Sequence, residues 1–279
     1  MSENTTQNTP YRSLIKPLIV LNVIIYGLTL LLDKTMSISV MDLGAKVNWQ
    51  IADGQWYRLL TPMFLHWNLY HLFSNMLALY ILGPHIEALF GRGKFLALYL
   101  FAGYLGNVLS FTFSDSVAAG ASGAIFGIMG AHLYLFLRNR EVYNRLFGRD
   151  ILMLIALNIG ISIYDQRIDL WGHAGGLLGG IVIAWLLQLR FDPRSIPRIA
   201  AALVLTVTIS AGAYTLAGMY SQTDRYYFFK TLDLAHQGHD AEAMALFRKG
   251  QKEFPLSTLL QEIQKSIDSA TTSTQSPSK

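Results

Sequence analysis

Seven stretches of this chain, near residues 14–32, 67–86, 95–113, 121–137, 150–164, 172–189 and 197–219, are apolar over most or all of the ~20 residues a helix needs to cross a bilayer. The fifth is the shortest. Such a pattern specifies an all-α, polytopic membrane protein. Composition agrees: 52% of the residues are hydrophobic and 14% charged, against about 25% charged in soluble domains. The chain has no cysteine, which removes disulfides and thiolate metal sites. Met1 to Pro10 is polar with no basic stretch before a short apolar core, so a cleaved signal peptide is not expected.

The net charge of +4 comes largely from loops, which points to membrane orientation and not to nucleic acid. Arg12, Lys16, Arg92, Lys94, Arg138, Arg140, Arg145, Arg149, Arg190, Arg194 and Arg198 fall on one side of the spans. Lys34, Lys46, Arg58 and Arg167 fall on the other. Eleven against four places the N-terminus in the cytoplasm and, with seven spans, the C-terminal tail outside. The expected organisation is a cytoplasmic tail (1–13), a six-span core (14–190), a loop with a seventh span (191–220), a helical hairpin (221–268) and a disordered end (269–279). Within the hairpin, Gly238, Ala243, Phe247, Gly250 and Pro255 recur at tetratricopeptide offsets. It is a docking surface for a protein partner or a simple cap. The long first loop, Asp33 to His66, carries Trp49, Trp56, Tyr57 and Arg58, aromatics suited to the headgroup layer.

Two polar residues stand at the outward heads of apolar runs. Ser122 lies in Gly120-Ala121-Ser122-Gly123, and His173 in Trp171-Gly172-His173-Ala174-Gly175. An imidazole in hydrocarbon is costly and marks a functional site by default. Gly120, Gly123, Gly127 and Gly130 share one helix face, as do Gly172, Gly176 and Gly180. Small residues at that spacing let two backbones touch in lipid, so a hydroxyl and an imidazole at matching depth could meet and support nucleophilic acyl transfer. His71 and Asn75, four apart on the second span, are neutral donors suited to a developing oxyanion. No Asp or Glu lies in a span where it could orient His173, so packing sets its tautomer, with Phe126 stacking on the ring.

Gly120-Ala121-Ser122-Gly123-Ala124-Ile125-Phe126-Gly127, His71 with Asn75, and His173-Ala174-Gly175-Gly176 resemble the rhomboid family of intramembrane serine proteases. The resemblance covers about residues 14–190 and implies a six-helix bundle, extended here by a seventh span and the small helical tail. It implies Ser122 as nucleophile, His173 as general base and acid, and an oxyanion hole from the Ser122 amide, His71 and Asn75. Phe126, Gly120, Gly123 and Arg58 are supporting residues. The family's aromatic–Arg pair is matched by Tyr57-Arg58, although Trp is usual at the first position. The implied substrates are transmembrane proteins in a lipid bilayer, with no cofactor; because no organelle-targeting segment is visible, a bacterial inner membrane is the expected compartment. Three alternatives stand beside this one: an inactive rhomboid-like protein that binds transmembrane clients, a transporter, and a metalloprotease. His66 and His71 lack a nearby carboxylate, and no ligand set for a metal is expected. His85 and His132 have no visible partners and read as packing residues.

Overall fold

A computed structural model describes residues 13–187 and 195–274. The expectations placed on Arg12, Arg190, Arg194 and most of the N-terminal tail lie outside the described residues. The elements are α1 (Ile15–Met36), α2 (Val40–Leu43), α3 (Asn48–Ala52), two 3-10 turns (Trp56–Leu59 and Thr61–Phe64), α4 (Leu69–Phe90), α5 (Arg92–Phe113), α6 (Ser122–Arg138), α7 (Arg140–Phe147), α8 (Asp150–Tyr164), α9 (Leu170–Leu187), α10 (Ser195–Tyr220), α11 (Asp224–His236), α12 (Asp240–Glu253) and α13 (Thr258–Thr274). No strand occurs among the described residues, as the apolar pattern demands. Helices α1, α4, α5, α9 and the Ala200–Tyr220 part of α10 are long and apolar enough to cross a membrane. α6, with 17 residues, and α8, with 15, are shorter, and α8 meets α7 at a 96° bend.

The first unit comprises residues 1–46 and 57–209. Its centre is α5, α6 and α9, and their closeness has a simple cause. A Cβ on Gly106 of α5 would lie 2.6 Å from the Gly172 carbonyl oxygen of α9. One on Gly175 would lie 2.8 Å from the Leu105 oxygen. On the other side of α9, Gly176 and Gly180 press against the backbones of Gly123 and Gly127 of α6. In lipid no hydrophobic gain drives helices together, so close backbone packing of this kind supplies the dispersion energy. Around it, Leu79, Leu82, Ile86, Phe95, Leu98, Tyr99 and Ile128 are buried. Val20, Ile24, Phe73, Met153, Leu157, Val204 and Val207 stay exposed, as lipid-facing residues should.

Helix ends are capped by residues with little signature of their own. Glu87, fully buried on α4, accepts hydrogen bonds from Ser13 Oγ (2.5 Å) and Leu14 N (2.6 Å) at the start of α1. Asn68 caps α4 by accepting from His71 N at 2.9 Å. Asn139 ends α6 and caps α7, accepting from Val142 N at 3.0 Å.

The second unit comprises residues 47–56 and 210–279. The expected hairpin is in fact three helices: α11 and α12 are followed by α13, which continues to Thr274; residues 275–279 lie outside the described residues. The reason is burial. One two-helix repeat cannot cover its own apolar face, and α13 supplies Leu260 and Ile263 against Tyr227 and Phe247. Gly250 permits this contact, since a Cβ there would lie 2.8 Å from that of Tyr227. Segment 47–56 of the first loop belongs to the same unit. Asp53 accepts from Tyr226 Oη (2.7 Å) and Lys230 Nζ (2.5 Å), and Trp56 packs on Tyr214 with ring centroids 5.5 Å apart.

Candidate active site

The site forms where the first turns of α4, α6 and α9 converge. Ser122 is the first residue of α6, at the end of a loop held in place from several directions. Gly120 N donates to Pro62 O at 2.8 Å. Lys46 and Ala118 form an isolated antiparallel bridge, and the buried Lys46 ammonium donates to Ser114 O (3.0 Å) and Ser116 O (2.7 Å). Burial pulls the Lys46 pKa down to about 8, with Asp169 and Asp115 partly opposing that pull. Its hydrogen bonds to two carbonyls make Lys46 a clamp on the loop leading to Ser122. In the sequence Lys46 stands only as an outer-loop cation.

Gly120 has a geometric requirement. Its φ is +140°, and a Cβ there would lie 2.6 Å from His71 Cε1 and 2.8 Å from His71 Nε2. The same point is 3.6 Å from Ser122 Oγ, so the His71 ring and the Ser122 hydroxyl face one small space. Asn75, one turn beyond His71, donates to the His71 carbonyl oxygen at 2.9 Å, which uses one of its two amide protons. The first-turn amides of α6, Ser122 N among them, have no acceptor within their helix.

His173, in the first turn of α9, stacks on Phe126 of α6 with ring centroids 4.1 Å apart and 16° from coplanar. Its Nδ1 is 2.8 Å from Ser162 Oγ on α8, and Ser162 Oγ donates to Asn158 O at 2.8 Å. Asp169 caps α9, accepting from Gly172 N at 3.1 Å. A cavity of about 530 Å³ has Ser122, His173, His71 and Asn75 all in its wall. Arg167, also in its wall, has an 89% exposed side chain, so the cavity reaches the protein surface. Ser122 and His173 share this cavity without a hydrogen bond between them.

Arg58 stands apart from the cavity. It is buried and donates through Nη1 to Met41 O (2.6 Å) and Ala45 O (2.8 Å), fixing the first loop. His132 has partners that the sequence did not reveal: Leu82 O at 3.3 Å and Tyr143 Oη at 3.2 Å. Among the described residues no three His, Asp or Glu side chains gather as metal ligands. Ser162, eleven residues before His173 and on another helix, carried no sequence signal at all.

A family model, the Rhomboid domain, matches residues 53–190. The putative rhomboid protease YdcA of Bacillus subtilis is 33% identical over 141 residues, half of this chain and 71% of that protein. The chain belongs to the rhomboid family. Rhomboid protease GluP of Bacillus subtilis is 43% identical over 178 residues, 64% of this chain and 35% of GluP. RHOMBOID-like protein 1 of Arabidopsis thaliana is 33% identical over 154 residues, 52% of this chain and 39% of the relative. This rhomboid therefore matches about a third of the length of GluP and most of YdcA. As in the family, it is an integral membrane protein.

Proposed function

We propose that this rhomboid is an intramembrane serine endopeptidase that cleaves peptide bonds in or beside transmembrane helices of other proteins. The observation that carries the reading is the single cavity whose wall contains Ser122, His173, His71 and Asn75, reached from the surface. In this reaction Ser122 Oγ attacks the scissile carbonyl while His173 accepts its proton. The resulting oxyanion takes hydrogen bonds from the Ser122 amide, His71 and the free proton of Asn75. One such donor is worth about 2.7–4 kcal/mol. His173 then protonates the leaving amine, and water hydrolyses the acyl-enzyme by the same route in reverse. A helical substrate must unwind first, because its carbonyls are hydrogen-bonded.

The charge bias of the loops supports a cytoplasmic N-terminus, a cavity opening outward and an external C-terminal unit; a bacterial inner membrane is the compartment proposed with it. Lateral entry past α8 fits that helix: only Ile151, Ile155 and Ser162 of its residues are buried. The first unit carries the chemistry, and the C-terminal helices dock a protein partner.

A fluorophosphonate probe on detergent-solubilised protein tests the reading. Wild type labels and cleaves a model transmembrane substrate, whereas Ser122→Ala and His173→Ala do neither while remaining folded. Cleavage by Ser122→Ala removes the proposal. A folded wild type that neither labels nor cleaves favours the client-binding alternative.

A further inference from the structure

We propose that Ser162 is a positioning residue that holds His173 in the tautomer whose Nε2 carries the lone pair for a base; the proposal rests on the Ser122–His173 reading above. A serine hydroxyl has one proton and two lone pairs. Ser162 Oγ lies 2.8 Å from the Asn158 carbonyl oxygen, which can only accept, so the proton goes there. Toward His173 Nδ1, also at 2.8 Å, Ser162 can then only accept. Nδ1 therefore carries the ring proton. Nε2 is left with its lone pair, the form a general base requires.

Among the described side chains, only Ser162 hydrogen-bonds to the His173 ring. Phe126 stacks on its face and offers no acceptor. Asp169, the carboxylate nearest along the chain, accepts from the Gly172 amide as the cap of α9. Asn158 gives one of its two Nδ2 protons to Leu154 O at 2.8 Å. Ser162 is 5% exposed and lines the same cavity as His173. A buried neutral hydroxyl thus takes the place that a carboxylate holds in Ser-His-Asp enzymes, without placing a charge in the bilayer. Because Ser162 rides on α8, displacement of that helix from α9 unhooks the base.

The test uses full-length protein in detergent, with a model transmembrane substrate and ¹⁵N-histidine spectra of the His173 ring. Ser162→Ala is expected to lose roughly tenfold in kcat, the worth of one neutral hydrogen bond, with KM within about twofold of wild type. The His173 signal shifts away from the Nδ1–H form. Ser162→Thr, whose hydroxyl can also bond back one helical turn, restores both rate and signal. Wild-type kcat in Ser162→Ala overturns the proposal. So does a loss that Thr does not restore, or one in which the ring keeps its Nδ1–H signal. Ser122→Ala serves as the separate control. Activity there refutes the dyad itself, whereas an inactive Ser122→Ala beside an unaffected Ser162→Ala refutes only the role of Ser162.

Discussion

Gly176→Ala probes the contact on which the site depends. The new methyl would lie 2.8 Å from the Gly123 carbonyl carbon and 3.0 Å from Gly123 Cα, and nearer still to the carbonyl oxygen. Ordinary contact begins at 3.4 Å, so α6 and α9 must part by well over half an ångström. The obstacle is backbone and cannot rotate away. Overpacking of this kind costs about 1–3 kcal/mol. The kinetic cost is larger, because Gly123 is bonded to Ser122 and Gly176 lies less than one turn after His173. A misplacement of about 1 Å between reacting groups can cost about 100-fold, so a loss of roughly 10- to 100-fold in kcat is expected. Substrate cleavage and the rate of fluorophosphonate labelling read the loss, and apparent Tm in detergent reads the packing. Gly27→Ala on α1, where a Cβ meets nothing within 4 Å, serves as the control and keeps wild-type values. Wild-type rate and Tm in Gly176→Ala would refute the claim that glycine backbones bring Ser122 and His173 together.

Two further perturbations act at the cavity's edge. Gly120→Ala forces a side chain onto a positive-φ residue, at about 1–3 kcal/mol, and drives it into the His71 ring. kcat is expected to fall at least tenfold with KM little changed, and a rise in KM alone would contradict this. His66, in the loop before α4, is 1% exposed, and burial, helped by the neighbouring His71, pulls its pKa down to about 4. The unfolded chain takes up a proton below about 6.5 while the folded one resists until about 4. Stability from this group is therefore present above pH 6.5 and lost as pH falls through that window, by about 3 kcal/mol in all. Apparent Tm measured between pH 7 and 4 should fall more steeply for wild type than for His66→Phe. Parallel curves would show that His66 contributes nothing.

Much of the architecture is legible in the sequence because its causes are local. The apolar stretches coincide with helices, and the glycine spacings of α6 and α9 already place two bare backbone faces beside Ser122 and His173. Other features left no trace in linear order. Lys46 reads as an exposed cation until the fold buries it against Ser114 and Ser116. Arg58 lies over the ring of its sequence neighbour Tyr57, but nothing in linear order shows that it also binds the carbonyls of Met41 and Ala45. The C-terminal repeat pattern, anchored on Ala243, Phe247 and Gly250, gives no sign that α13 and residues 47–56 are needed to complete that unit.

What the sequence determined by itself is which segments enter lipid and which of their faces can come close, since period and composition are properties of a single helix. What only the tertiary structure decided is which polar atoms meet: Ser162 with His173, Glu87 with the start of α1, His132 with Tyr143. Those meetings depend on the rotation and depth of separate helices relative to one another. Both are set by the summed packing of many side chains, which no one stretch of sequence contains.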